Sequence, residues 1–199
     1  NIYLKIAFYK ISFGVVLVVF SQIFDLYIFE YLGYFEVLLG FIFFIYQLYL
    51  IFKTKVRKQK DIYYRYIVFS VINFIIALVL VCFYFVLSND YLLFISGFIF
   101  LLGFLTPIIT AHLYKIIPFL VWFHRFSSLV GKQKVPMLAD MVPVKSSDFG
   151  FGFYLLGFIL SLIAFIFSSD ILFKSAVSFL FVGTSFIVKD VFYIINFKG

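Results

Sequence analysis

The stretch "HLYKIIPFLVWFHRF", residues 112–126, concentrates the side chains of this sequence that could bind a metal, a cofactor or an anion. An imidazole is a common ligand of metals and haem iron. Lysine and arginine suit phosphates, and tryptophan suits the membrane–water interface. The candidates are His112 as a cofactor ligand, and Lys115, Trp122, His124 and Arg125 as substrate or interface contacts.

His112 has three interpretations on sequence alone. It could be a neutral histidine satisfied by a neighbouring helix, with Lys115 extending toward lipid headgroups. It could be a ligand of haem iron or another metal, or a contact to a substrate or quinone. His124 follows twelve residues later, about 18 Å along a straight helix. The two histidines therefore cannot share one ion unless the chain folds back after Pro118.

The amino-acid composition indicates that these residues are carried by a protein embedded in a membrane. Of 199 residues, 65% are hydrophobic and 13% are charged, against about 25% charged in soluble domains. The solvent of such a chain is a lipid bilayer. The net charge of +7 does not indicate nucleic acid, because the basic residues lie between apolar runs. The single Cys82 excludes an internal disulfide and a cysteine metal cluster.

Six apolar runs are long enough to cross about 30 Å of hydrocarbon as helices. They are continuous and do not alternate, which excludes a β-barrel. The sequence predicts an all-α, polytopic membrane bundle in one transmembrane domain, 1–199, with an interfacial loop at 118–148. Because the chain starts at Asn1, it could be a fragment of a longer protein. The predicted spans are 6–28, 31–52, 62–87, 91–117, 149–168 and 171–195.

The basic residues predict the sidedness of these spans. Fifteen of the sixteen lysines and arginines fall at one set of helix ends, and Lys174 alone falls at the other. By the positive-inside rule, both termini and the loops at 53–61 and 118–148 are cytoplasmic. We therefore expect a multi-pass protein of a cell membrane, most simply a bacterial inner membrane.

Small and polar residues predict how the helices meet. Stripes of small side chains, which allow close helix packing in lipid, run through the first, fourth and fifth spans. Asp25, Glu30 and Glu36 are placed near the outer interface, so no carboxylate is expected at the midplane. This weakens a proton-coupled pump. The stripes are Gly14, Ser21 and Asp25; Ser96, Gly103 and Thr110; and Gly150, Gly157, Ser161, Ala164 and Ser168.

Pro118 predicts the end of the fourth span, or a bend in it, because proline cannot donate to the carbonyl of Tyr114. The residues that follow would lie along the cytoplasmic interface, and a short helix could begin at Pro136. His112 should then point into the bundle, since an unpartnered imidazole in hydrocarbon is costly.

Two adjoining segments, "HLYKIIPFLVWFHRF" and "LVGKQKVPMLADMVP", resemble a block in uncharacterised polytopic bacterial membrane proteins that are distantly similar to the haem–copper oxidase subunit I superfamily. The resemblance covers Thr110–Pro143. It implies a respiratory or haem-linked context, with haem as the cofactor and His112 as its ligand. The departure is large, because an oxidase core needs several more histidines than the two present here.

Three hypotheses for function follow. The first is a non-catalytic or partial subunit in a respiratory or haem-linked membrane context, alongside other membrane subunits. The second is a small transporter or permease-like protein. The third is a structural or assembly partner of a membrane complex. The chain carries no phosphate-binding glycine loop, nucleophile elbow or metalloprotease motif, which argues against an enzyme acting alone.

The sidedness can be tested by cysteine labelling in a Cys82→Ser background. Lys58→Cys should react with a membrane-impermeant maleimide only after permeabilisation, because the basic connections face the cytoplasm. Lys174→Cys is the matched control and should react in intact cells. Labelling of Lys58→Cys in intact cells would contradict the predicted orientation.

Overall fold

Helices make up nearly the whole of the fold. A computed structural model describes residues 2–54 and 61–197, and within these residues no strand occurs. Six helical segments are long and apolar enough to cross a membrane, which confirms the predicted all-α class and the number of spans. The chain is an integral, multi-pass membrane protein, and its sidedness stays a prediction. The basic connection at 55–60 lies outside the described residues.

The fourth span differs from the others because it is built from three helical pieces in succession. The other spans are single α-helices. The elements are α1 (Ile2–Phe24), α2 (Tyr27–Thr54), α3 (Ile62–Leu87), α4 (Asp90–Phe98), a π-helical turn (Ile99–Leu105), α5 (Thr106–Phe126), α6 (Val144–Ile166) and α7 (Asp170–Ile195).

Three short connections join consecutive spans in the same way. Asp25, Ser88 and Ser168 each adopt the left-handed conformation, with φ of 53°, 48° and 47°. Asn89 and Ser169 then cap the following helices, each through a side-chain oxygen. The first of these turns lies at Asp25, about four residues before its predicted place, because aspartate tolerates this conformation better than the bulky residues around it.

The chain divides into two compact units, Asn1–Lys58 and Gln59–Gly199, where the sequence predicts one transmembrane domain. The first unit is the hairpin of α1 and α2. Every seventh residue of each helix is small or polar and buried: Ala7, Gly14 and Ser21 on α1, and Gly33, Gly40 and Gln47 on α2. A Cβ added at Gly14 would lie 2.7 Å from the Gly33 carbonyl oxygen, so the two backbones touch directly. The predicted continuation of this stripe to Asp25 is wrong, because Asp25 is exposed in the turn.

The second unit contains α3 to α7. Its α6 stripe is confirmed: Gly150, Gly157, Ser161 and Ala164 are buried, whereas Ser168 is exposed in the connection to α7. A Cβ added at Gly157 would lie 2.7 Å from the Leu180 backbone nitrogen on α7. The stripe of the fourth span is also buried, and there the Ser96 hydroxyl donates to the Ala77 carbonyl of α3 at 3.0 Å.

Gly157 and Gly152 allow a matched test of this packing. We expect Gly157→Ala to destabilise the protein by about 1–3 kcal/mol, because the added methyl meets backbone of α7 that cannot rotate away. Gly152 lies on the same helix with no atom within 4 Å of an added Cβ. Gly152→Ala should therefore be neutral, or stabilising by up to about 1 kcal/mol through helix propensity. Thermal unfolding in detergent would compare them, and equal midpoints would refute the close contact.

Candidate functional site

The structure brings two of the sequence-predicted residues together around a tyrosine of α3. The Lys115 ammonium lies 3.9 Å from the centroid of the Tyr63 ring. The His112 ring meets the same ring edge-on, with centroids 5.8 Å apart. A cation over an exposed aromatic face contributes about 0.5–1 kcal/mol. Tyr63 therefore favours one position of the Lys115 ammonium over others.

His112 itself is exposed, so the prediction that it points into the bundle is wrong. Ala111 and Tyr114 occupy the buried face of α5 in its place. The imidazole meets its need for a partner within its own helix, since its Nδ1 lies 2.7 Å from the Ile108 carbonyl oxygen. Because a carbonyl can only accept, Nδ1 carries the proton, and Nε2 is left for another partner.

The prediction that the helix itself ends at Pro118 is also wrong. The helix continues to Phe126 with Pro118 buried inside it. Two contacts hold the segment beyond the proline. The Trp122 indole donates to the Pro136 carbonyl at 2.9 Å, and the Arg125 guanidinium donates to the Phe197 carbonyl at 2.6 Å. The connection between spans therefore comprises residues 127–143, shorter than the predicted 118–148.

These hydrogen bonds show that Trp122 and Arg125 have structural roles. Trp122 anchors the connection to α6, and Arg125 binds the chain just past the end of α7, where helix carbonyls lack partners. His124 is exposed and touches only the neighbouring Phe123 ring among the ring contacts described. The short helix expected from Pro136 is a 3-10 turn at Leu138–Met141.

The predicted site residues thus form one pair and three separate positions. His112 and Lys115 share Tyr63, whereas Trp122, His124 and Arg125 have partners elsewhere. Within residues 2–54 and 61–197, no three His, Cys, Asp or Glu side chains are placed to hold a metal ion.

A buried carboxylate that sequence reasoning overlooked lies in the second unit. Asp190 of α7 is 0% exposed. Its Oδ2 accepts a hydrogen bond from the Tyr114 hydroxyl at 2.7 Å. Its Oδ1 is buried and has no hydrogen-bond partner among the described residues. A carboxylate without water and with one oxygen unpaired is costly, so this position calls for an explanation.

Other unsatisfied groups accompany Asp190. The Tyr66 hydroxyl on α3 is buried without a described partner, and so is the Ser70 hydroxyl one helical turn further along. The Tyr66 ring stacks on Tyr114 with centroids 6.1 Å apart, which places Tyr66 beside the Asp190–Tyr114 bond. We call Asp190, Tyr114, Tyr66 and Ser70 the buried polar cluster.

A signal in the sequence could have found Asp190. Ala176, Gly183 and Asp190 recur every seventh residue, and all three are buried on α7. The first two are small, as expected at a helix contact. Asp190 continues the same seven-residue repeat, which predicts that its carboxylate lies on the buried face of α7.

Pro107, two residues after the π-helical turn, accounts for an unpaired carbonyl within that turn. In the π pattern each amide donates five residues back, as Thr106 does to the Leu101 carbonyl. Pro107 has no amide hydrogen, so the carbonyl of Leu102 is left without its helical donor. The Tyr154 hydroxyl of α6 donates to that oxygen at 2.6 Å. Proline thus opens a polar contact between the fourth span and α6.

The first unit contains an ion pair that the sequence did not predict. The Glu36 carboxylate of α2 accepts from the Lys10 ammonium of α1 at 2.8 Å. Glu36 is nine residues into α2, about 13 Å along the helix from its start. That no carboxylate lies at the midplane stays a prediction.

Comparison with known proteins gives no match to a protein-family model, to a curated protein or to a solved structure. The functional argument therefore depends on the residues and the geometry of this chain.

Proposed function

We propose that this protein is a small, proton-coupled transporter or permease of a bacterial inner membrane, and that Asp190 binds and releases the coupling proton. One observation carries the proposal: a fully buried carboxylate that accepts a single hydrogen bond and keeps Oδ1 unpaired in the described part of the chain. The main argument against proton coupling was that no carboxylate was expected at the midplane. That argument did not consider Asp190, an ionisable group buried inside the helical bundle.

The chemistry of Asp190 suits two protonation states. When ionised, the carboxylate is stabilised by the Tyr114 hydroxyl but has a desolvated oxygen. When Oδ1 carries a proton, the charge is gone and the Tyr114 bond is kept. Neither state is fully satisfied by the protein alone, which is the property expected of a group that exchanges a proton during a cycle.

The cluster lies near the ends of α3 and α7, which shortens the path for a proton from one membrane face. Tyr66 is four residues from the start of α3, and Asp190 is five residues from the end of α7, so both lie about 6–8 Å from the helix ends. Buried polar side chains continue inward on α3, from Tyr66 through Ser70 to Asn73. This polar line extends about 10 Å toward the membrane interior.

Proton binding at Asp190 can be tested by infrared difference spectroscopy of the purified protein between acidic and alkaline pH. We expect a protonated-carboxyl band that Asp190→Asn removes and that Tyr114→Phe shifts, because Tyr114 bonds to the same group. Asp148→Asn is the matched control: Asp148 is partly exposed and pairs with Arg65 at 3.0 Å, so its change should leave that band in place.

An uptake screen under an imposed proton gradient tests the transport step. Asp190→Asn should abolish gradient-driven uptake, whereas His112→Ala, which alters an exposed residue, should retain it. If no carboxyl band depends on Asp190 at any pH, the carboxylate is a fixed structural partner of Tyr114 and the proposal fails.

A haem-linked subunit is the second candidate, and one observation favours it. The bond from His112 Nδ1 to the Ile108 carbonyl fixes the imidazole tautomer and leaves Nε2 free, as an axial ligand requires. Haem would supply electron-transfer chemistry. Because His112 is exposed, such a group would need a second membrane subunit to cover it, which agrees with the partial-subunit hypothesis.

Optical spectra decide between the two candidates. A haem-linked subunit, extracted in mild detergent with its partners, should show a Soret band that His112→Ala shifts or removes. His124→Ala is the control, since His124 lies on a different part of α5. A preparation with no Soret band in either redox state would reject the haem-linked role and leave the Asp190 proposal unaffected.

A further inference from the structure

The cation–aromatic pair of Lys115 and Tyr63 lies at the level of the lipid headgroups. Tyr63 is the second residue of α3, so it is within one turn of a membrane face. Lys115 follows Asp90 by 25 residues in a 40-residue helical segment, a rise of about 37 Å. That rise exceeds the roughly 30 Å of hydrocarbon. The two counts place the pair at the same face.

The Lys115 charge has no carboxylate within ion-pair distance in the part of the chain that the structure describes. Its ammonium lies over the Tyr63 ring, which orients it and leaves its hydrogens available to an anion. The nearest acidic residue in sequence to Tyr63 is Asp61, whose carboxylate accepts from the Tyr64 amide. The exposed imidazole of His112 contacts the same ring, nearly perpendicular to it, with centroids 5.8 Å apart.

An apolar surface continues from this position toward the middle of the membrane. Ile109 of α5 and Leu105, the last residue of the π-helical turn, lie about one and two turns before His112 on the same side of the fourth span, and both are exposed. On the headgroup side, Ile116 and Phe119 are exposed as well. A fixed cation with an apolar track beneath it matches a molecule with an anionic head and an acyl chain.

We infer that Lys115, Tyr63 and His112 form a binding site for the phosphate of an anionic phospholipid, whose acyl chain lies along Ile109 and Leu105. The ammonium binds the phosphate, and the Tyr63 ring holds the ammonium in place. The apolar track distinguishes a lipid from free phosphate. The site is independent of Asp190 and of the proposed transport activity.

The test is native mass spectrometry of the protein in neutral detergent, titrated with phosphatidylglycerol, phosphatidylcholine or inorganic phosphate. The wild-type chain should retain phosphatidylglycerol in preference to phosphatidylcholine, and inorganic phosphate should not compete at equal concentration. Lys115→Gln should weaken phosphatidylglycerol binding about fivefold, the effect of one lysine near an anionic surface.

Two variants separate the site from general charge. Lys174→Gln removes the same charge near the start of α7, and it should bind like the wild type. Tyr63→Leu keeps the Lys115 charge but removes the ring that orients it, and it should weaken binding in the same direction as Lys115→Gln. If Lys115→Gln fails to fold, Tyr63→Leu and Lys115→Arg, which keeps the charge, provide the comparison. The inference is overturned if Lys115→Gln binds like the wild type, if Lys174→Gln is equally impaired, or if both lipids bind alike.

Discussion

In hydrocarbon, a polar group that water does not reach must find its partner inside the protein, and this constraint governs the whole structure. It explains why serine and threonine hydroxyls turn back onto helix carbonyls, as Ser161 does to Gly157 and Thr110 to Thr106. It explains why the carbonyl left by Pro107 is taken by Tyr154. It also explains how an exposed histidine is tolerated, since His112 uses the Ile108 carbonyl of its own helix.

Where this constraint is not met, the exception becomes informative. The Lys10–Glu36 pair satisfies both of its charges at once, as a structural ion pair between α1 and α2 does. Asp190 and Tyr66 are different, because Asp190 Oδ1 and the Tyr66 hydroxyl are buried without a described partner. Burying a polar group without a partner costs free energy and is not needed for folding. Such a group is therefore usually retained for function.

Hydropathy predicted the number of membrane spans, and the spacing of small residues predicted which residues lie at helix contacts. The six spans follow from apolar length, and Gly14 and Gly157 were found because small residues repeat at helical intervals. What failed depends on tertiary partners. Pro118 does not end its helix because Trp122 and Arg125 bind the residues beyond it to Pro136 and Phe197. The pairing of Glu36 with Lys10, 26 residues apart in sequence, likewise follows from no local pattern.

The α7 stripe shows how one register can serve both packing and chemistry. At Gly183 the helix meets backbone of α6, since an added Cβ there would lie 2.7 Å from the Tyr154 nitrogen. Seven residues later, at Asp190, the partner is the hydroxyl at the end of the long Tyr114 side chain on α5. A contact through a tyrosine holds the two backbones further apart than a contact through glycine does. Polar side chains can occupy the space between helices that are held apart in this way. The buried face of α7 therefore packs closely on α6 at Gly183 and contributes to the buried polar cluster at Asp190.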